Sequence, residues 1–192
     1  MNSSELRTAD TSVRLYFAYG SNLHPLRLAD RLSTVVVEGI GSVPGRRLAF
    51  HKHGKDGSGK CDAARAGESE RVFGALFVLG PIQWQKLCRI EGVGAGYESR
   101  PVSVDTEAGR VSALTFIAQP EHVDPALSPF DWYRALVVEG ARSHGFPNDY
   151  IEKIDGVHSV ADPDSKRAAS NWSLVERIRA SGQHLPPADD IP

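Results

Sequence analysis

The chain has 192 residues, 41% hydrophobic and 24% charged, a composition that fits a soluble globular domain of ordinary size. Its 22 basic and 24 acidic residues leave a net charge of −2, so no basic excess points to nucleic acid or to a membrane surface. Two cysteines, Cys61 and Cys88, without CxxC spacing, argue against a disulfide framework or a cysteine zinc site and fit a reducing cytoplasm. Met1 to Arg14 lacks the apolar core of a signal peptide, and no apolar run approaches the ~18 residues of a membrane span.

Residues 1–13 read as a disordered lead. Leu15, Phe17 and Tyr19 alternate with Arg14, Tyr16 and Ala18 in a short strand that runs into Gly20-Ser21-Asn22. Pro25 stands at a first helical turn, and Leu26, Leu28, Ala29 and Leu32 continue at helical spacing, with His24 placed to cap them. Thr34 to Val37 and Arg47 to Phe50 read as strands joined through Pro44-Gly45, and His51 to Gly67 as a polar loop. Val72 to Leu79 is a nearly continuous apolar run, which suits a strand buried on both faces. A helix is predicted from Pro81 to Glu91, ended by Gly92. Tyr97–Thr106 and Arg110–Ala118 form a hairpin pattern around Glu107-Ala108-Gly109.

Ser128-Pro129-Phe130-Asp131 resembles a capping-box start for a helix running to Gly145. Shorter helices are predicted at Asn148–Ile154 and Trp172–Ala180, followed by a mobile Pro- and Asp-rich tail. The fold class is α+β, a small barrel-like mixed sheet flanked by helices. One domain is expected over residues 14–155, with a helical extension and tail over 156–192.

Two features carry chemistry. A Gly-Ser-Asn turn between strand and helix presents backbone N–H groups and two small polar side chains at one point, a cradle for an oxyanion or carboxylate. The same residues also suit a turn needed only for its backbone angles. The second feature is Glu91. With Trp84, Leu87 and Cys88 it occupies i, i+3, i+4 and i+7, one helix face of which the first three are apolar. A carboxylate at the negative end of a helix, on a face that packs inward, breaks a local rule, and such breaks gather at functional sites. A carboxyl group tuned by burial can serve as general base and then general acid. The plainer alternative is a Glu at the rim that reaches water. Arg89 and Arg100 are the cations nearest in sequence to offset its charge.

Together these features resemble the γ-glutamylcyclotransferases: Tyr19-Gly20-Ser21-Asn22 after an aromatic strand, Glu91-Gly92-Val93 with Tyr97 shortly after, then Ser128-Pro129, Tyr133 and Gly145-Phe146-Pro147. The resemblance covers roughly residues 14 to 155. It implies release of 5-oxoproline from a γ-glutamyl dipeptide or amine without metal or organic cofactor, by a monomer or homodimer. It also implies that Tyr16, Phe17, Ala18, Tyr19, Gly20, Ser21 and Asn22 cradle the glutamyl group, that Glu91 is the acid/base, and that Tyr133 lines the substrate pocket. By the same resemblance the loop at 51–67 lies over the pocket, with Lys60 or Asp62 near the substrate tail.

Competing readings are weaker. Gly54-Lys55-Asp56-Gly57-Ser58-Gly59-Lys60-Cys61 nearly spells a P-loop, but Cys61 replaces the hydroxyl that would bind Mg²⁺. His51 and His53 share a strand face without further ligands at metal-binding spacing. Ser21 lacks a nucleophile elbow. A non-catalytic module that binds a γ-glutamyl or amino-acid ligand remains the main alternative, and it would have no need of Glu91.

Overall fold

The structure is a computed structural model that describes residues 12–182. Most of the expected lead, and the tail after Gly182, lie outside the described residues. The run Val72 to Leu79 forms the spine of the molecule as β5 (Arg71–Leu79). It pairs antiparallel with β1 (Arg14–Ala18) on one side and β2 (Val36–Pro44) on the other. The β6–β7 hairpin (Tyr97–Thr106 and Gly109–Ala118) follows β2, and β7 meets β1 in parallel at Tyr16 and Leu114. The strands therefore close into a barrel in the order β1-β5-β2-β6-β7. A strand with neighbours on both sides and side chains buried on both faces has nowhere to put polar residues, which accounts for its apolar run.

Several elements depart from the sequence reading. β2 extends to Pro44, past Glu38, Gly39 and Gly41, where the pattern suggested a strand ending at Val37. Its pairing slips between Val37 and Gly39, a bulge that interrupts the alternation. The predicted polar loop at 51–67 is largely strand: β3 (Arg46–His53) and β4 (Gly59–Arg65) make a separate two-stranded sheet. The P-loop-like stretch is the tip of this hairpin, where Gly54 N–H donates to Ser58 C=O. No helix follows it.

Helix α3 (Asp131–Ser143) starts after Phe130, not at Pro129, and stops before His144. Ser128 and Pro129 instead form an extended strap whose carbonyls accept from Gly59 and Val160 N–H. α1 (Pro25–Leu32) and α2 (Pro81–Glu91) keep their predicted starts, with Gly92 in the left-handed conformation that ends α2. α4 spans Asn148–Asp155. α5 (Ser165–Ser181) begins seven residues before Trp172, capped by Asp164, which accepts from the N–H groups of Lys166 and Arg167. Its Leu174, Val175 and Ile178 join the same core as the barrel and α3.

Candidate active site

The turn after β1 is held from both sides. Phe17 and Ala18 are fully buried core residues, and a Cβ on Gly74 of β5 would come within 2.4 Å of the Phe17 ring. They support the turn and do not line the cavity beneath it. Behind the turn, Gly140 of α3 lets the helix close on Leu23, since a Cβ there would approach Leu23 Cβ to 2.5 Å. His144 Nε2 lies 2.8 Å from Leu23 C=O, and Leu23 N–H returns to Gly20 C=O at 3.0 Å. Gly20 is also sterically required, because a Cβ would lie 2.9 Å from Cys61 Cβ. The backbone N–H groups of Gly20, Ser21 and Asn22 have no acceptor among the described residues, although Ser21 and Asn22 are buried. Buried N–H groups are nearly always paired, so the two on Ser21 and Asn22, with Gly20 beside them, are donors open to a ligand.

Glu91 faces this turn. Trp84 and Leu87 bury the inner face of α2, as the spacing required, and leave the Glu91 side chain 18% exposed. Its Oε1 accepts from Asn22 Nδ2 at 3.0 Å and from Arg31 Nη1 at 2.5 Å. Arg31 also donates to Asn22 Oδ1 at 2.9 Å, which fixes the amide orientation. The cation is therefore supplied by the last turn of α1. Arg100 pairs with Glu98 at the surface instead. Glu91 Oε2 keeps no hydrogen bond among the described residues, so one oxygen is anchored and the other is available.

Aromatic groups complete the wall. Tyr16, Tyr19, Gly20, Ser21, Asn22, Cys61, Glu91, Tyr97, Phe116 and Tyr133 enclose a cavity of about 30 Å³. Tyr16 Oη accepts from Asn22 Nδ2 at 3.2 Å, and Tyr133 Oη from Cys61 N–H at 3.2 Å. The Tyr16 hydroxyl hydrogen has no acceptor among the described residues, while the Tyr133 hydroxyl also hydrogen-bonds the Cys61 side chain. Burial raises the Tyr16, Tyr97 and Tyr133 hydroxyls above their ordinary range, so all three are neutral donors near pH 7. Burial likewise pushes the Cys61 thiol up to about 12, which makes it a wall residue and not a nucleophile.

Tyr97, Phe116, Cys61 and Arg31 were not singled out as site residues from the sequence. Tyr97 begins a strand and Cys61 sits within the misread loop, so the signal for both was strand alternation. Arg31 carried no local signal. Asp62 does not reach the cavity: it binds His51 at 3.0 Å and Ala118 N–H at 2.8 Å. Lys60 lies 4.6 Å from the Tyr133 ring centroid and is held by Asp56 and Ser58, each at 2.7 Å. Among the described residues no group of three or more His, Cys, Asp or Glu is placed to hold a metal ion.

A model of the AIG2-like family matches residues 71–154, the stretch that contains Glu91 and Tyr133. The γ-glutamylcyclotransferase of Bos taurus is 25% identical over 80% of this chain and 83% of its own length. The γ-glutamyl cyclotransferase aclK of Aspergillus oryzae is 28% identical over 86% of this chain, which spans 66% of that relative's length. A solved structure titled as a γ-glutamyl cyclotransferase superposes with a TM-score of 0.76, covering 86% of this chain and 99% of its own, at 21% identity. The chain is thus similar in sequence to γ-glutamylcyclotransferases and shares the fold of a solved one. The fold brings the end of α2 against the turn after β1 and the end of α1, which lie 69 and 60 positions away at the Asn22 and Arg31 contacts. No helix among the described residues is long and apolar enough to cross a membrane.

Proposed function

We propose that this protein converts a γ-glutamyl compound into 5-oxoproline and a free amine, with Glu91 as acid/base and the Tyr19–Asn22 turn as the substrate cradle. The observation that carries this reading is the pairing of one carboxylate, Glu91, with a turn whose three N–H groups lack acceptors. The names of the curated relatives support the same reaction class.

In this reading the turn amides receive the glutamyl α-carboxylate and the developing oxyanion, with the Tyr133 and Tyr16 hydroxyls as further donors. Glu91 removes a proton from the α-amine, whose lone pair attacks the γ-carbonyl carbon and closes the five-membered ring. The tetrahedral oxyanion then collapses, the bond to the departing nitrogen breaks, and Glu91 returns its proton to that nitrogen. The charge on Glu91 is therefore restored within each cycle. Holding the chain folded back on itself supplies up to ~7–11 kcal/mol in favourable cases, and donors at the oxyanion about 3 kcal/mol more.

The test is 5-oxoproline release, followed by mass spectrometry, from γ-glutamyl dipeptides, γ-glutamyl amines and glutathione. Wild type is expected to release it. Glu91→Gln, which keeps the shape and the Asn22 contact, should lose about 10²- to 10⁴-fold in kcat. Binding of a γ-glutamyl ligand without release from any substrate would replace this reading with that of a non-catalytic binding module.

A further inference from the structure

β3, the start of β5 and α4 with its flanks enclose a second cavity, of about 560 Å³, that shares no lining residue with the candidate active site. Its volume falls in the range of small-molecule sites. The floor is apolar and aromatic: Phe50, Tyr150 and Ile154 are buried, and Leu48, Phe73 and Val157 are half-buried. The Phe73 and Tyr150 rings stand 4.8 Å apart at 63°, which presents a ring face beside a ring edge. The Tyr150 hydroxyl hydrogen has no acceptor among the described residues, and buried polar hydrogens are rarely left so. The mouth is charged, with Arg47, Glu70, Arg71, Asp149 and Lys153 exposed around it. Asp149 pairs with Lys153 at 3.7 Å, whereas Arg47 and Arg71 make no ion pair among the described residues. Two unpaired guanidiniums against the single carboxylate of Glu70 leave a positive mouth over an aromatic floor.

We propose that this cavity binds a small aromatic acid, with a flat apolar body on the floor and one anionic group at Arg47 and Arg71. A guanidinium meets a carboxylate or sulfonate through parallel hydrogen bonds and also stacks on flat rings, so it suits both parts of such a ligand. A second negative charge would be opposed by Glu70, and a purely polar anion would leave the aromatic floor in water. The site does not depend on the reaction proposed above. It backs onto the candidate active site through Phe50, whose ring meets that of Tyr133 edge-on at 6.3 Å.

The experiment titrates the whole chain with 8-anilinonaphthalene-1-sulfonate, an aromatic body carrying one sulfonate, and with N-phenyl-1-naphthylamine, the same skeleton without it. Fluorescence reads both. Wild type should bind one equivalent of the sulfonate, and more tightly than the amine. Arg47→Gln combined with Arg71→Gln should weaken the sulfonate by about 10-fold, the range for a charge-assisted hydrogen bond at an exposed position, and leave the amine unchanged. Leu48→Trp, which fills part of the cavity, should weaken both compounds. Should that variant fail to fold, the arginine pair, exposed in the native chain, still decides. Absence of saturable binding, or an unchanged sulfonate affinity in the arginine variant, would overturn the site. A parallel loss of both compounds in that variant would overturn it as well, since the charge would then play no part in recognition.

Discussion

Gly20 shows how little space surrounds the turn after β1. Its missing side chain lets Cys61 of β4 come within 2.9 Å of the position a Cβ would take, and with it the N–H that holds the Tyr133 hydroxyl. Gly20→Ala should cost about 1–3 kcal/mol in urea melts through overpacking and should reduce turnover. Because the clash is with Cys61 Cβ, Cys61→Gly in the same chain should recover part of both losses. Strict additivity of the two substitutions would show that the contact is not the cause. At this scale Glu91 was legible, because helical spacing alone put it on the face of Trp84 and Leu87. Arg31 was not, since an ion pair between α1 and α2 leaves no trace in local pattern. Phe17 and Ala18 were grouped with the site by motif; both are buried, and neither lines the cavity.

At the scale of elements, the stretch from His51 through β4 read as a loop because its charges looked solvated. Two of them are satisfied inside the structure: Asp62 by His51 and the Ala118 N–H, and Lys60 by Asp56. Sequence pattern cannot separate a charge that faces water from one that faces a partner. The junction of α1 with α3 yields a further expectation. His24 caps α1 by accepting the Leu26 N–H on Nδ1, and burial together with neighbouring His144 holds its pKa down at about 4. His144 is lowered as well, by burial. In the unfolded chain both take up protons near pH 6.5, while the folded chain resists. Stability should therefore be complete above pH 6.5 and fall as pH drops from there towards 4. His24 alone accounts for about 2 kcal/mol of loss between pH 6.5 and 5. His24→Asn keeps a capping side chain without the titration, so its urea midpoint should depend less on pH than that of wild type across this window. Parallel curves for the two proteins would remove His24 as the source.

Across the whole molecule, the α+β barrel was legible because β5, α2 and the β6–β7 hairpin carry strong periodic patterns. Its seam was not. β1 pairs with β5 along its full length but meets β7 in register only at Tyr16 and Leu114. Side chains reinforce that edge: Thr115 Oγ1 donates to Phe17 C=O at 2.7 Å, and the Tyr19 hydroxyl to Phe116 C=O. Thr115→Val should therefore speed amide hydrogen exchange along β1 and the seam-facing edge of β7, while the β6–β7 ladder keeps its protection. Uniform acceleration would mean that the threonine supports global stability instead.

The seam has a bearing on how the chain becomes active. Its clasps join residues 97 and 98 positions apart, whereas the β6–β7 hairpin forms from neighbours. Closing so long a loop is entropically expensive and slow compared with local pairing. The turn proposed to cradle the substrate hangs from the strand that must make this closure. During refolding, recovery of enzymatic turnover would therefore trail the appearance of secondary structure, and activity would report the moment when the two ends of the sheet find each other.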